Sequence, residues 1–219
     1  MQPRALVGEF IGTAFLLAGV VGSGIMAERL SSDVAVVLLA NAVATAGVLL
    51  VIIHMFAPVS GAHFNPVVTL AEALLGDRRW AEVVPYIAAQ AAGGVFGTVV
   101  ANLMFDLDAV NVSTKARSGS HLWMAEAVAT YGLVLVIFML VYSSRTKLVA
   151  GAVAAYIGAA YWFTSSTSFA NPAVTAARTL SDTFAGIEPA SAPVFMAMQL
   201  LGACLAALTV RLLYPPARK

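Results

Sequence analysis

Two copies of one short pattern constrain this chain more than anything else in it: Asn65-Pro66-Val67-Val68-Thr69 and Asn171-Pro172-Ala173-Val174-Thr175. Each follows a long apolar stretch. Asn-Pro cannot continue a helix smoothly, because Pro lacks an N–H and pushes the residue before it out of helical geometry. The pair suits a helix start instead, with Asn as the cap and Pro in the first turn. Two such starts, one in each half of a hydrophobic chain, predict two half-helices that meet inside a membrane.

The surrounding sequence supports a membrane setting. Of the 219 residues, 60% are hydrophobic and only 11% are charged, against about 25% charged in ordinary soluble domains. The net charge of +1 argues against a nucleic-acid partner. A single cysteine, Cys204, excludes an intramolecular disulfide. Six stretches are long and apolar enough to cross a bilayer: roughly 5–27, 34–56, 83–105, 122–142, 148–167 and 193–213. Residues 58–76 and 168–187 are too short to cross and read as re-entrant. Basic residues set the orientation. With the N-terminus inside, the inner face collects Arg4, Arg78, Arg79, Arg145, Lys147, Arg211, Arg218 and Lys219, leaving Arg29, Lys115, Arg117 and Arg178 outside. Both termini are therefore expected in the cytoplasm, and Glu9, so early in the first span, speaks against a cleaved signal.

The halves match beyond the Asn-Pro pair. Glu9 and Thr13 in the first span correspond to Glu126 and Thr130 in the fourth, and Gln90 with Gly93 corresponds to Gln199 with Gly202. Three spans per half turn the second copy upside down. The expectation is a single domain over 1–219, built of inverted repeats 1–105 and 122–219 joined by a polar loop, 106–121. Inverted repeats place a solute path at their interface near the bilayer midplane. Two half-helix N-termini meeting there put positive dipole ends at one point and disfavour cations. The Asn65 and Asn171 amides can donate to a passing oxygen.

Ser60-Gly61-Ala62-His63-Phe64-Asn65-Pro66-Val67-Val68-Thr69, the second Asn-Pro-Ala and the Glu and Gln landmarks resemble the aquaporin and glycerol-channel (major intrinsic protein) family across essentially the whole chain. The resemblance implies an all-α membrane protein with six tilted transmembrane helices and two half-helices. It also implies a homotetramer in the cell membrane with one pore per subunit. The pore centre would be Asn65, Pro66 and Val67 with Asn171, Pro172 and Ala173. Glu9 and Glu126 would accept N–H bonds from the re-entrant loops, although glutamates inside spans also raise the possibility of a proton relay. His63 would orient the inner loop or line the inner pore.

The chain departs from the family pattern at one position. Family members normally place an Arg directly after the second Asn-Pro-Ala, where it lines the outer filter; here that residue is Val174. Spacing from the two Asn residues assigns the other filter positions to Thr45, Ala159 and Ser168. Asn41 and Thr45 share a helix face. Gly151, Ala155 and Ala159 form a small-residue stripe that serves either the pore or helix packing. Arg178, one turn beyond Val174, either overhangs the outer vestibule or pairs with Asp182. These small, neutral residues predict a wide, arginine-free filter.

The function expected from this is a passive channel for small neutral solutes and water. Glycerol, urea and uncharged metalloid hydroxides such as arsenite fit the filter, and Val174 resembles the filter residue of arsenical-permeable relatives. The alternatives are a water-selective channel and a proton-coupled transporter using Glu9 or Glu126. No nucleophile–base pair, phosphate loop or metal cluster is present to suggest an enzyme, and no cofactor or metal is implied.

Overall fold

The computed structural model describes residues 2–215, so Arg218 and Lys219, assigned above to the inner face, lie outside the described residues. Among these residues the fold is entirely helical: α1 (Pro3–Leu30), α2 (Val34–Ser60), α3 (Pro66–Leu75), α4 (Trp80–Met104), α5 (Ser120–Tyr142), α6 (Val149–Phe163), α7 (Pro172–Ala177) and α8 (Ala192–Leu213). Five of these helices are long and apolar enough to cross a membrane: α1, α2, α4, α5 and α8. The helix α6 has 15 residues and continues a 3-10 turn at Thr146–Leu148. Together they extend about 28 Å, close to a hydrocarbon core.

Close helix pairing rests on glycines at equivalent places. A methyl group at Gly93 would overlap the Phe10 carbonyl, fixing the α1–α4 contact, and one at Gly202 would overlap the Ala127 carbonyl, fixing α5 against α8. α2 packs on α1 and α6, and α6 also meets α5. Large apolar side chains such as Val7, Phe15, Val43, Val84 and Leu212 are exposed on the outside, as a lipid-facing surface requires.

The half-helices start at the Asn-Pro pairs. Asn65 caps α3 by accepting from Val67 N at 3.1 Å, and Asn171 caps α7 by accepting from Ala173 N at 3.0 Å and Val174 N at 3.2 Å. In both, Pro occupies the first turn. α2 runs through Pro58 to Ser60, so the first re-entrant segment begins at Gly61, in left-handed geometry (φ 91°), rather than at 58. The segment between α4 and α5 is not a free tether. Asn111 N and Ser113 N donate to Leu180 O and Thr179 O, and Thr114 N donates to Asp182 at 2.9 Å, which fastens this loop across the segment after α7.

Candidate functional site

The half-helix N-termini meet through the two asparagines. Each Oδ1 caps its own helix, while each Nδ2 crosses to the other loop: Asn65 donates to Ala170 O and Asn171 donates to Phe64 O, both at 2.8 Å. An amide nitrogen has two hydrogens. One hydrogen per Asn therefore remains for a passing oxygen, and both residues line a central cavity of about 650 Å³. The facing helix ends supply roughly half an elementary charge each.

The loops that hold this centre are built alike. Ala62 and Phe64 before Asn65, and Ser168 and Ala170 before Asn171, all have left-handed φ values between 47° and 54°. Such geometry costs non-glycine residues about 1–3 kcal/mol each, so something must hold it. Glu9 does so on one side, accepting from His63 N at 3.0 Å and Phe64 N at 2.7 Å. Glu126 does so on the other, accepting from Phe169 N and Ala170 N at 2.9 Å. Gln90 ties Glu9 to Thr69, and Gln199 ties Glu126 to Thr175. Ser60 Oγ donates to Glu9 as well. Both glutamates are fully buried, carry three or more donors each among these contacts, and stay off the cavity wall. That arrangement suits a fixed anchor.

The cavity lining includes aliphatic groups, Leu49, Ile53, Val153 and Ile157 among them. It also includes Gly61, Ala62, His63 and Phe64 with the two asparagines. The carbonyls of Gly61, Ala62 and His63 accept no hydrogen bond among the described residues, so they are available to a solute. From Val149 to Tyr161 the α6 wall extends about 18 Å. At one end His63 lines the wall, its Nδ1 against Thr69 Oγ1 at 2.9 Å and its Nε2 3.3 Å from Glu72. Arg78 pairs with Glu72 there and lies over Tyr86.

The opposite end holds Thr45, Ser168 and Val174, each 3–5% exposed, and here one sequence assignment needs correction. Ala159 is exposed on the outer surface of α6, together with Gly151 and Ala155. Ile157 and Tyr161, one helical turn apart, face the cavity; residue 159 lies two positions from each and so on the far side of the helix. Counting back from Asn171 fixes a distance along the chain but not a helix face. Tyr161 lines the cavity from α6, its hydroxyl 3.1 Å from Thr45 Oγ1, so this end contains an aromatic ring that the expected small-residue set lacked. Asn41 does not reach the cavity and instead donates to Val20 O and Ser23 Oγ.

Arg178 makes no ion pair with Asp182, because Asp182 is held by Thr114 and Ser113. The Thr114 N–H is the main influence that keeps the Asp182 carboxyl below the usual range. Arg178 is 2% exposed, stacks on Phe169 with its guanidinium carbon 3.4 Å from the ring centre, donates Nε to Ala185 O, and lines the cavity.

A helical bundle with two capped half-helices meeting over a lined cavity defines a multi-pass membrane channel. The model of the Major intrinsic protein family matches residues 2–170, and this chain belongs to that family; it is a channel, not an enzyme. It is 47% identical over 215 residues to aquaglyceroporin AqpS of Rhizobium meliloti (strain 1021), covering 98% of this chain and 92% of that protein. It is 32% identical over 154 residues to a glycerol uptake facilitator protein of Streptococcus pneumoniae (strain ATCC BAA-255 / R6), covering 62% of this chain and 63% of that one. The fold is also similar to the X-ray structure of the aquaglyceroporin from Plasmodium falciparum, with a TM-score of 0.70 and 19% identity over 98% of this chain and 96% of that one.

Proposed function

We propose that this chain is a passive channel of the glycerol-facilitator type, passing water, glycerol and small uncharged hydroxylated solutes, arsenite as As(OH)3 and related arsenicals among them. The observation that carries this reading is the mixed lining of the cavity. Its aliphatic part suits the carbon side of a polyol, while the unpaired carbonyls of residues 61–63 and the spare amide hydrogens of Asn65 and Asn171 suit its hydroxyls. A charged solute would lose hydration against the aliphatic part of the wall. The names of the aquaglyceroporin and glycerol-facilitator relatives support the same solute class.

The filter in this reading is Thr45, Tyr161, Ser168 and Val174. Val174 in place of an arginine favours solutes wider than water, whereas the Tyr161 ring narrows the opening and favours the water-selective alternative. We assign the chain to one channel domain of two inverted halves, 1–105 and 122–219, supported by the matching Glu9 and Glu126 anchors. It sits in the cell membrane with both termini cytoplasmic, as the basic residues favour, and assembles as a homotetramer. Gly47 and Gly151 face open space on the outer surface, which leaves room for a neighbouring helix.

The test is flux in proteoliposomes for water, glycerol and arsenite, with native protein and Val174→Arg. Native protein is expected to pass all three, and the variant to pass water while blocking the larger two. Equal glycerol flux in both would put the constriction elsewhere; water flux alone in native protein would favour the water-selective reading.

A further inference from the structure

We propose that Arg178 supplies this pore with the fixed positive charge that position 174 lacks, acting four residues on, just past the end of α7, as a cation-excluding and solute-docking group; the assignment rests on the channel reading above. Val174 and Arg178 are four residues apart and so share a face, and both line the same end of the cavity. Burying an unpaired charge is very costly, yet no carboxylate among the described residues pairs with Arg178. Asp182 is engaged by Thr114 and Ser113, and Glu126 by Phe169, Ala170 and Gln199. The guanidinium is positioned instead by the face of Phe169 and by Ala185 O, which takes its Nε hydrogen.

These contacts leave both Nη groups without a protein hydrogen bond among the described residues, in a side chain that forms part of the cavity wall. Ser168 contributes to the same end of the wall, its Oγ buried and without a hydrogen-bond partner among the described residues. The guanidinium's donor fork at one end of a channel forms a dock for a hydroxyl-rich solute. Arg117 reinforces the charge from behind, 5.0 Å from the Phe169 ring centre and tied to Gly186 O and Phe184 O rather than to an acid. Val174 has a role here: it is small enough to leave the cavity open to the side chain behind it. The pore thus keeps an arginine near its filter without narrowing the filter at 174.

The test measures proton and potassium leak alongside glycerol flux in proteoliposomes carrying native protein, Arg178→Val, and the double variant Val174→Arg with Arg178→Val. A unit charge within a few ångströms of a permeating cation alters its passage by about tenfold or more in a partly dry pore. Arg178→Val is expected to raise the proton or potassium leak at least about tenfold. The double variant should suppress that leak while lowering glycerol flux, because the charge is restored at the narrower position. This rescue separates a charge role from a packing role, since Arg at 174 cannot remake the Ala185 contact. A leak in Arg178→Val that equals native, or one that Val174→Arg fails to suppress, overturns the assignment alone. Native vesicles that fail to equilibrate glycerol overturn the channel reading and the assignment with it.

Discussion

Replacing Glu126 with Gln changes one atom and tests what holds the pore centre. The carboxylate accepts Phe169 N at one oxygen and both Ala170 N and Gln199 Nε2 at the other, the last at 2.6 Å. An amide keeps one accepting oxygen and turns an NH2 toward the remaining donor. The cheaper orientation keeps its oxygen on the Ala170 and Gln199 side, so the Phe169 donor loses its acceptor and meets the new NH2 in a fully buried place. An orphaned donor costs about 1–3 kcal/mol, so the native loop loses roughly 2 kcal/mol of support. Ser168 and Ala170 hold left-handed backbone in that loop, and their strain then favours relaxation. Relaxation moves Ala170 O, the acceptor for Asn65, and so disturbs the opposite half-helix as well. The expected outcome is a lower thermal transition in detergent and a glycerol flux reduced more than tenfold at every pH. Native flux and stability in the variant would refute the anchoring role. Loss of pH-gradient-driven uptake with passive flux intact would instead identify Glu126 as a proton carrier.

Other outcomes follow from the same structure. Gly202→Ala should fail to yield stable protein, because its methyl group would meet the Ala127 carbonyl; expression with detergent gel filtration checks this, and Gly24→Ala, whose methyl group would stay 3.6 Å from its neighbours, serves as the comparison. Tyr161→Phe removes the hydroxyl that meets Thr45 and frees that hydroxyl for solute; glycerol flux should shift by a few-fold while water flux changes less, as read by stopped-flow light scattering. The Asp182 clamp on residues 113–114 has a depressed carboxyl pKa. Its contribution is present above the ordinary carboxylate range and is lost as the pH falls through the lowered value. Amide exchange in residues 111–115 should therefore accelerate only in strong acid, and Asp182→Asn should show fast exchange already at neutral pH.

How far the sequence led depended on whether a signal was local. Asn65-Pro66 and Asn171-Pro172 marked the half-helix starts because capping and the missing proline N–H act within a single turn. Charged or amide groups in apolar spans, Glu9, Glu126, Gln90 and Gln199, stood out because burial demands partners, and the structure shows those partners. The filter was harder to read. Thr45, Ser168 and Val174 lie on the cavity wall, but the α6 member required knowing which helix face turns inward, and the shared turn of Ile157 and Tyr161 decided that against Ala159. Arg178 stayed between two readings, vestibule or ion pair, for a related reason. An i,i+4 partner, Asp182, was available in sequence, but α7 ends at Ala177 and Asp182 is drawn away to Thr114, across a loop whose ladder no local pattern announces. The tether between the halves looked like a plain connection because its pairing with residues 179–182 is long-range.

The most direct test of a passive channel is the final glycerol distribution in proteoliposomes, followed with radiolabelled solute with and without an imposed proton gradient. The account predicts rapid equilibration to equal concentrations inside and out, with a rate linear in glycerol concentration and the same under either condition. Accumulation above the external concentration when the proton gradient is applied, or a rate no faster than in empty vesicles, would contradict it.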